Sequence, residues 1–176
     1  QVPRMSTRNG PPIALPEQAP PQSLEAERAI LGAVLLDGTL APTLLEIPAV
    51  AFHKDAHRQL YRAIAALVAA GDAVDVLTVS EALRQAGVLE AIGGEAALAT
   101  LQEAGALATH VEAYATIIRE HAVRRELIRL ARGALETAYD LAQPIEDTLG
   151  QTVADLVRLD DRLAPDALVG PAEFAA

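Results

Sequence analysis

The chain has 176 residues, of which 51% are hydrophobic and only 3% aromatic, and its formal net charge at pH 7 is -10. This length predicts one modest core rather than two catalytic domains, and the composition predicts Leu, Ile, Val and Ala packed between helices. The acidic charge opposes strong direct binding of nucleic acid, and the absence of cysteine excludes disulfides and thiolate metal sites. No stretch is long and apolar enough for a membrane span, so we expect a cytoplasmic protein.

Residues 1–22 contain six of the eleven prolines and predict a disordered leader. Proline removes backbone donors, and this segment has too little apolar surface to offset the entropy lost on ordering. The alternative is a proline-rich recognition ligand, but no basic residue closely flanks Pro11-Pro12 or Pro20-Pro21.

A first helix is predicted over residues 24–36, where apolar side chains recur with helical spacing. The hydroxyl of Ser23 suits the N-cap, and Glu25 and Glu27 lie in the first turn, where the helix dipole favours anions. These features are typical of the start of a compact domain.

Four more helices complete a predicted head over residues 23–107. They are expected at about 39–47, 55–70, 78–86 and 94–105. Thr78 and Glu81 have the form of a capping box for the fourth. Gly71 ends the third helix, and Gly93-Gly94 predicts a turn rather than an anion site, because two glycines alone are a weak phosphate signal.

From residue 108 the pattern predicts an antiparallel helical hairpin over 108–163. Thr109 and Glu112 suggest a capping box for a helix that runs to about Asp140, and Pro144 starts the next. The second helix of the hairpin has a seam with alternating four- and three-residue steps, made by Ile145, Leu149, Thr152, Leu156, Leu159 and Leu163.

The hairpin exposes more apolar surface than it can cover alone, which predicts self-association. The candidate contact residues are Tyr114, Ile118, Leu149, Leu156, Leu159 and Leu163. Residues 164–176 are predicted to form a linker or frayed tail.

Basic side chains cluster on the long helix: Arg119, Arg124, Arg125, Arg129 and Arg132. If the chain turns near residue 142, Arg132 faces Asp155 and Arg125 faces Asp160, so ion pairs across the hairpin are the simpler interpretation. The alternative is an arginine patch for an acidic partner or DNA, which the net charge opposes.

Recognisable catalytic chemistry is missing from the chain. A P-loop needs a lysine after its second glycine, and the only lysine is Lys54. His53 and His57 have a spacing that can place two imidazoles on one helix face, but no third ligand is apparent, so packing is favoured over metal binding. Asp55 between them is expected to cap the third helix. We therefore predict no catalytic residue, cofactor or metal site here.

Several sequence landmarks occur together in a specific order across most of the chain. They are Pro-Pro-Gln-Ser-Leu-Glu-Ala-Glu with Leu31-Gly32, Phe52 followed by His57-Arg-Gln-Leu-Tyr61, Asp75-Val-Leu-Thr78, Gly93-Gly94, and Tyr114-Ala-Thr-Ile-Ile118 with Arg124-Arg-Glu-Leu-Ile128. Over roughly residues 20–160, the chain resembles the N-terminal domain of bacterial replicative DNA helicases of the DnaB family.

This resemblance implies an all-α head and hairpin that dimerise inside a hexameric ring, as a collar above RecA-like motor domains at the replication fork. It implies that primase binds the collar, with Glu25, Arg125 and Ile128 as candidate contacts, and that a helicase loader is a further partner. ATP and Mg²⁺ would belong only to the motor domain. The chain departs from the pattern at Ala97, where related proteins often carry an aromatic residue. The alternative function is a free-standing helical adaptor or regulator without a motor domain.

Overall fold

A computed structural model describes residues 19–161 of the chain, with side chains described as far as residue 159. Within this part there are seven α-helices, two short 3-10 helices at Gly38–Leu40 and Ala49–Ala51, and no strand. The α-helices are α1 (Leu24–Leu36), α2 (Ala41–Leu45), α3 (Asp55–Ala70), α4 (Val76–Gln85), α5 (Gly94–Gly105), α6 (Val111–Tyr139) and α7 (Ile145–Asp161). The predicted all-α fold of a multi-helix head followed by a hairpin is confirmed. The predicted tail at 164–176, and residues 1–18 of the predicted leader, lie outside the described residues.

Three of the predicted head helices have the expected bounds. In α1 the Ser23 hydroxyl accepts a hydrogen bond from the backbone N–H of Ala26 at 3.2 Å, which confirms the N-cap. Gly71 ends α3 with φ 74°, and Gly93 precedes α5 with φ 108°. Both angles lie in the region that favours glycine, so these residues are needed for the turns.

Two predicted capping boxes are wrong. In α4 the N-cap is Asp75, whose carboxylate accepts from the N–H of Thr78 at 2.9 Å, while the Thr78 hydroxyl accepts from the N–H of Asp75 at 3.0 Å. The motif therefore starts three residues earlier than predicted. In α6 the N-cap is His110, with no side-chain cap. Glu112 instead accepts from the hydroxyl of Thr43 at 3.2 Å, because α2 packs beside the start of α6.

The second predicted helix is broken into two pieces. Asp37 accepts from the N–H of Thr39 at 3.0 Å and caps the 3-10 helix Gly38–Leu40, and only then does α2 begin. Ile47, at the end of the predicted segment, is fully buried. The single helix predicted over 39–47 is therefore divided by the local capping at Asp37.

The head is organised around α1, which packs most extensively against α5. The two helices cross at glycines: a Cβ on Gly32 would lie 1.8 Å from the carbonyl oxygen of Leu101, and one on Gly105 would lie 2.0 Å from the carbonyl carbon of Gly32. Backbone therefore touches backbone at this crossing. The surrounding core contains fully buried Leu, Ile, Phe and Tyr side chains, and the rings of Phe52 and Tyr61 lie 5.5 Å apart.

The hairpin of α6 and α7 is confirmed, but its predicted seam is right at Thr152 and wrong at Leu149 and Leu156. Side chains of Thr148, Thr152 and Asp155 line a cavity of about 180 Å³ against α6, and Thr148 is only 8% exposed. The predicted seam residue Leu149 is 58% exposed, and Leu156 is 40% exposed. α7 is thus rotated so that polar residues face α6 and most of its apolar stripe faces outward.

The predicted ion pair of Arg132 with Asp155 across the hairpin is also wrong, whereas the side chain of Asp160, the predicted partner of Arg125, lies outside the described residues. Asp155 pairs with Arg158 of its own helix at 2.7 Å, and Arg129 pairs with Glu126 of its own helix at the same distance. Arg132 forms no ion pair with any described residue. Neighbours three residues apart on one helix meet more readily than partners across the rotated seam.

Candidate functional site

Glu27 is the most deeply buried charged side chain in the described part of the head, at 1% exposure. One carboxylate oxygen accepts from the N–H of His53 at 2.6 Å. The other lies 2.6 Å from Nδ1 of His57 and 3.4 Å from the N–H of Lys54. Glu27 therefore fastens α1 to the start of α3.

The predicted capping role of Asp55 is wrong, because the N-cap of α3 is Lys54 and no side chain caps this helix. Asp55 is the first residue of α3 and accepts hydrogen bonds from Arg58 at 3.2 Å and Gln59 at 2.7 Å. Glu27 bonds instead to the N–H groups of His53 and Lys54, which immediately precede α3. The sequence indicated Glu27 only as a first-turn acid of α1.

The electrostatics of this cluster favour an ionised carboxylate. Burial raises the pKa of Glu27, but the hydrogen bonds from the His57 side chain and the His53 amide outweigh it, so the pKa lies below its ordinary value. His57 is turned towards Glu27 rather than towards a shared site with His53. Residues 19–161 contain no group of three or more side chains suited to holding a metal ion.

Arg125 connects the long helix α6 to the head. Its guanidinium donates to the carbonyl of Pro21 at 2.8 Å and to the carbonyl of Ala51. Burial lowers the pKa of Arg125, while the charge of Glu27 opposes that shift. Among the described residues, Arg125 thus contacts two backbone carbonyls of the segments that flank the head helices.

The three candidate primase contacts lie on two helices that pack together, Glu25 on α1 and the other two on α6. Arg125 contacts Pro21, which precedes exposed Glu25 at the start of α1 by four residues, and Ile128 lies one turn further along α6 with 40% exposure. Glu25 and Ile128 are open to a partner, whereas Arg125 is half-buried and already bonded.

A second surface is the outward stripe of α7. Its members follow steps of three or four residues, with Leu156 and Val157 adjacent at the end, and each is at least 40% exposed: Ile145, Leu149, Val153, Leu156 and Val157. We call these five residues the α7 stripe. Apolar surface of this extent on a helix is typical of a protein-binding face.

The other predicted self-association residues lie elsewhere. Ile118 is 2% exposed and belongs to the core, so it offers no surface to a second copy, and Tyr114 is half-buried against the same core. Leu159 is half-buried, and Leu163 lies outside the described residues. Ile118 is buried and Tyr114 is half-buried because the first turns of α6 pack on the head.

None of the helices in residues 19–161 is both long and apolar enough to cross a membrane. The family model for the DnaB-like helicase N-terminal domain matches residues 19–120. The replicative DNA helicase DnaB of Treponema pallidum is 41% identical over 131 residues, which cover 74% of this chain and 30% of the relative. That of Geobacillus stearothermophilus is 35% identical over 147 residues, which cover 83% of this chain and 32% of the relative. The chain thus spans about a third of the length of these relatives.

Solved structures agree with the sequence comparisons. The crystal structure of the N-terminal domain of DnaB helicase from Mycobacterium tuberculosis matches with a TM-score of 0.73 and 30% identity, over 80% of this chain and 99% of that one. A DnaB-like replicative helicase, solved in a study of its interactions with primase, matches with a TM-score of 0.64 and 22% identity, over 88% of this chain and 36% of that one. The first match covers a whole N-terminal domain, and the family model covers more than half of the chain. The chain therefore belongs to the DnaB-like helicase N-terminal domain family.

Proposed function

We propose that this domain is the noncatalytic collar of a replicative DNA helicase, which assembles with further copies through its hairpin and docks primase during DNA replication in the cytoplasm. The observation that carries the proposal is the α7 stripe, which nothing covers within residues 19–161. ATP, Mg²⁺ and the unwinding reaction belong to a motor domain, which the matched region does not include. ATPase activity from this purified chain would contradict the assignment.

Self-association is supported by the way α7 is rotated. The face towards α6 is formed by threonines and an aspartate, so hairpin packing leaves the apolar residues free. Covering an apolar stripe stabilises an assembly by roughly 25 cal/mol per Å² of surface removed from water. A second copy carries the same stripe, and two copies related by a two-fold axis can cover each other.

Light scattering on the purified chain tests this part of the proposal. We expect a dimer or larger assembly for the natural sequence and a monomer when Leu149→Ser and Leu156→Ser are combined, because both side chains are exposed in the single chain. Val50→Ser is the matched control, since Val50 is 76% exposed and lies outside the hairpin. A natural chain that stays monomeric at millimolar concentration would overturn self-association.

Primase docking is proposed at the junction of α1 and α6. A related helicase was solved in a study of its interactions with primase, and in this chain exposed Glu25 and Ile128 lie on the two helices that pack together at this junction. An acid beside an exposed apolar side chain is a combination that partner surfaces recognise. Binding of a helicase loader to the same junction can be measured with the same variants.

Titration with the helicase-interacting domain of primase tests this docking. Ile128→Asn is expected to weaken binding about tenfold and Glu25→Gln by a smaller factor, since an apolar anchor contributes more than a rim charge. Leu77→Asn, at a 76% exposed position on α4, is the control. Arg125 variants are avoided because they also release α6 from the head. Undiminished affinity in both test variants would exclude this surface.

A further inference from the structure

A groove on the head lies between α1, α3 and α5 and is lined by no residue of the hairpin. Its volume is about 240 Å³, below the roughly 300–1,000 Å³ typical of small-molecule sites. The apolar part of its wall includes Leu60, Ala97 and Leu101. We call this the α1–α3–α5 groove. Its size suits one large side chain of a bound peptide better than a whole ligand.

The charge of the groove is opposite to that of the chain. Arg28 and Lys54 line it, and none of the described lining residues carries a carboxylate, although the sequence has 24 acidic and 14 basic residues. Both cations are exposed, and neither side chain forms an ion pair or hydrogen bond with a described residue. By contrast, Arg58, Arg84 and Arg158 are all engaged with acids.

The acid directly behind the groove is already satisfied. His57 lines the groove and holds Glu27 behind it, and Glu27 also accepts two backbone hydrogen bonds. Its charge is therefore compensated from within the head. The two cations at the groove remain available to negative groups from outside.

We propose that the α1–α3–α5 groove binds an acidic peptide segment of a partner protein. One apolar or aromatic side chain of the peptide packs against Leu60, Ala97 and Leu101, and flanking carboxylates pair with Arg28 and Lys54. The small side chain of Ala97 keeps the groove open for this anchor. Single-stranded nucleic acid is the poorer fit, because the one aromatic ring in the described lining is the imidazole of His57, which is buried and held by Glu27 and so cannot stack on a base.

An NMR titration of the ¹⁵N-labelled chain with the peptide acetyl-Asp-Glu-Phe-Asp-Glu-amide tests the proposal. We expect saturable shifts of amides around Lys54 and Thr100. The matched peptide acetyl-Asn-Gln-Phe-Asn-Gln-amide should bind at least tenfold more weakly. Raising the salt concentration should lower the affinity of the acidic peptide. Equal binding of both peptides, or shifts confined to other surfaces, would overturn the proposal. So would saturable binding of a twelve-residue oligothymidylate at the same amides without binding of the acidic peptide.

Variants of the chain locate the contact. Arg28→Glu and Lys54→Glu are each expected to lower the affinity for the acidic peptide about fivefold. Ala97→Phe should abolish binding, because the larger side chain fills the groove. Arg124→Glu makes the same charge change at an exposed position on α6 and is expected to leave binding unchanged. If Ala97→Phe disturbs folding, the two charge reversals still decide, because both alter exposed side chains. Unchanged affinity in both would exclude the groove, whereas self-association and primase docking would be unaffected.

Discussion

Head and hairpin differ in where their apolar side chains point. Eight of the 13 residues of α1 are buried, whereas only two of the 29 residues of α6 are, and both lie where α6 packs on the head. In α7 the one buried side chain recorded is a threonine, while the five residues of the α7 stripe are exposed. The head closes its own core, and the hairpin leaves most of its apolar surface open.

This difference has a consequence for stability. The head derives its stability from contacts inside one chain, so its unfolding should not depend on protein concentration. A hairpin with a polar seam derives less from its own packing, because long helices in water are stabilised mainly by burial of an apolar face. Its stability is then set by whatever covers the α7 stripe.

Gly32→Ala is expected to have the largest effect on the head. The new Cβ would lie 1.8 Å from the carbonyl oxygen of Leu101 and 2.8 Å from the backbone nitrogen of Gly105. Both are backbone atoms, so relief requires α1 and α5 to move apart, which costs about 3 kcal/mol or more of the free energy of unfolding. Urea denaturation followed by circular dichroism measures the loss. A loss below about 1 kcal/mol would show that the crossing is not tight.

Features of the fold that depend on neighbours in the sequence could be predicted from it, whereas contacts between distant segments could not. The bounds of α1, α3 and α5 follow from local signals such as Ser23 and Gly71, and these were predicted correctly. The backbone contact at Gly32 was not predicted, because it depends on which helix crosses α1. The family resemblance was carried by ordered motifs along the chain and is confirmed.

Errors at the candidate sites share a physical cause. The seam of α7 was assigned to five apolar residues and Thr152, because heptad spacing identifies an apolar face but does not state what covers it. Arg125 was predicted to face a carboxylate, and its guanidinium donates to the carbonyls of Pro21 and Ala51. Every residue has a backbone carbonyl, so the residue pattern cannot indicate which carbonyl accepts from a given side chain. Such partners can be identified only in the folded structure.

Glu27→Gln is expected to have the next largest effect, a loss of about 2 kcal/mol at pH 7. Glutamine keeps the shape but loses the charge and one acceptor oxygen, so one of the donors at His53, Lys54 or His57 loses its carboxylate partner. Glu25→Gln is the matched control two residues earlier on the exposed side, with an expected change within about 0.5 kcal/mol.

Measuring the free energy of unfolding at different pH values tests the contribution of the same carboxylate, that of Glu27. The folded-state pKa of Glu27 lies below its ordinary value of 4.5. Its contribution is therefore complete above the unfolded-state value and is lost as the pH falls through the folded-state value. The natural chain should lose stability below about pH 4.5 more steeply than Glu27→Gln, when both are measured by urea unfolding. Parallel profiles would mean that Glu27 gains nothing from its three contacts.

Gly133→Ala is expected to have the smallest effect, and one of opposite sign. Gly133 lies inside α6 beside the cavity of the hairpin, and a Cβ there would meet nothing within 4 Å. The substitution removes backbone entropy from the unfolded chain and should stabilise α6 by about 0.5–1 kcal/mol. Hydrogen exchange measures this as about two- to fivefold slower exchange in the second half of α6. If the hairpin opens independently, amides of α1 should keep their rates; if the two regions unfold together, those amides should slow by the same factor. The same chemical change that disrupts the head at Gly32 thus reports whether the hairpin is a separate unit of stability.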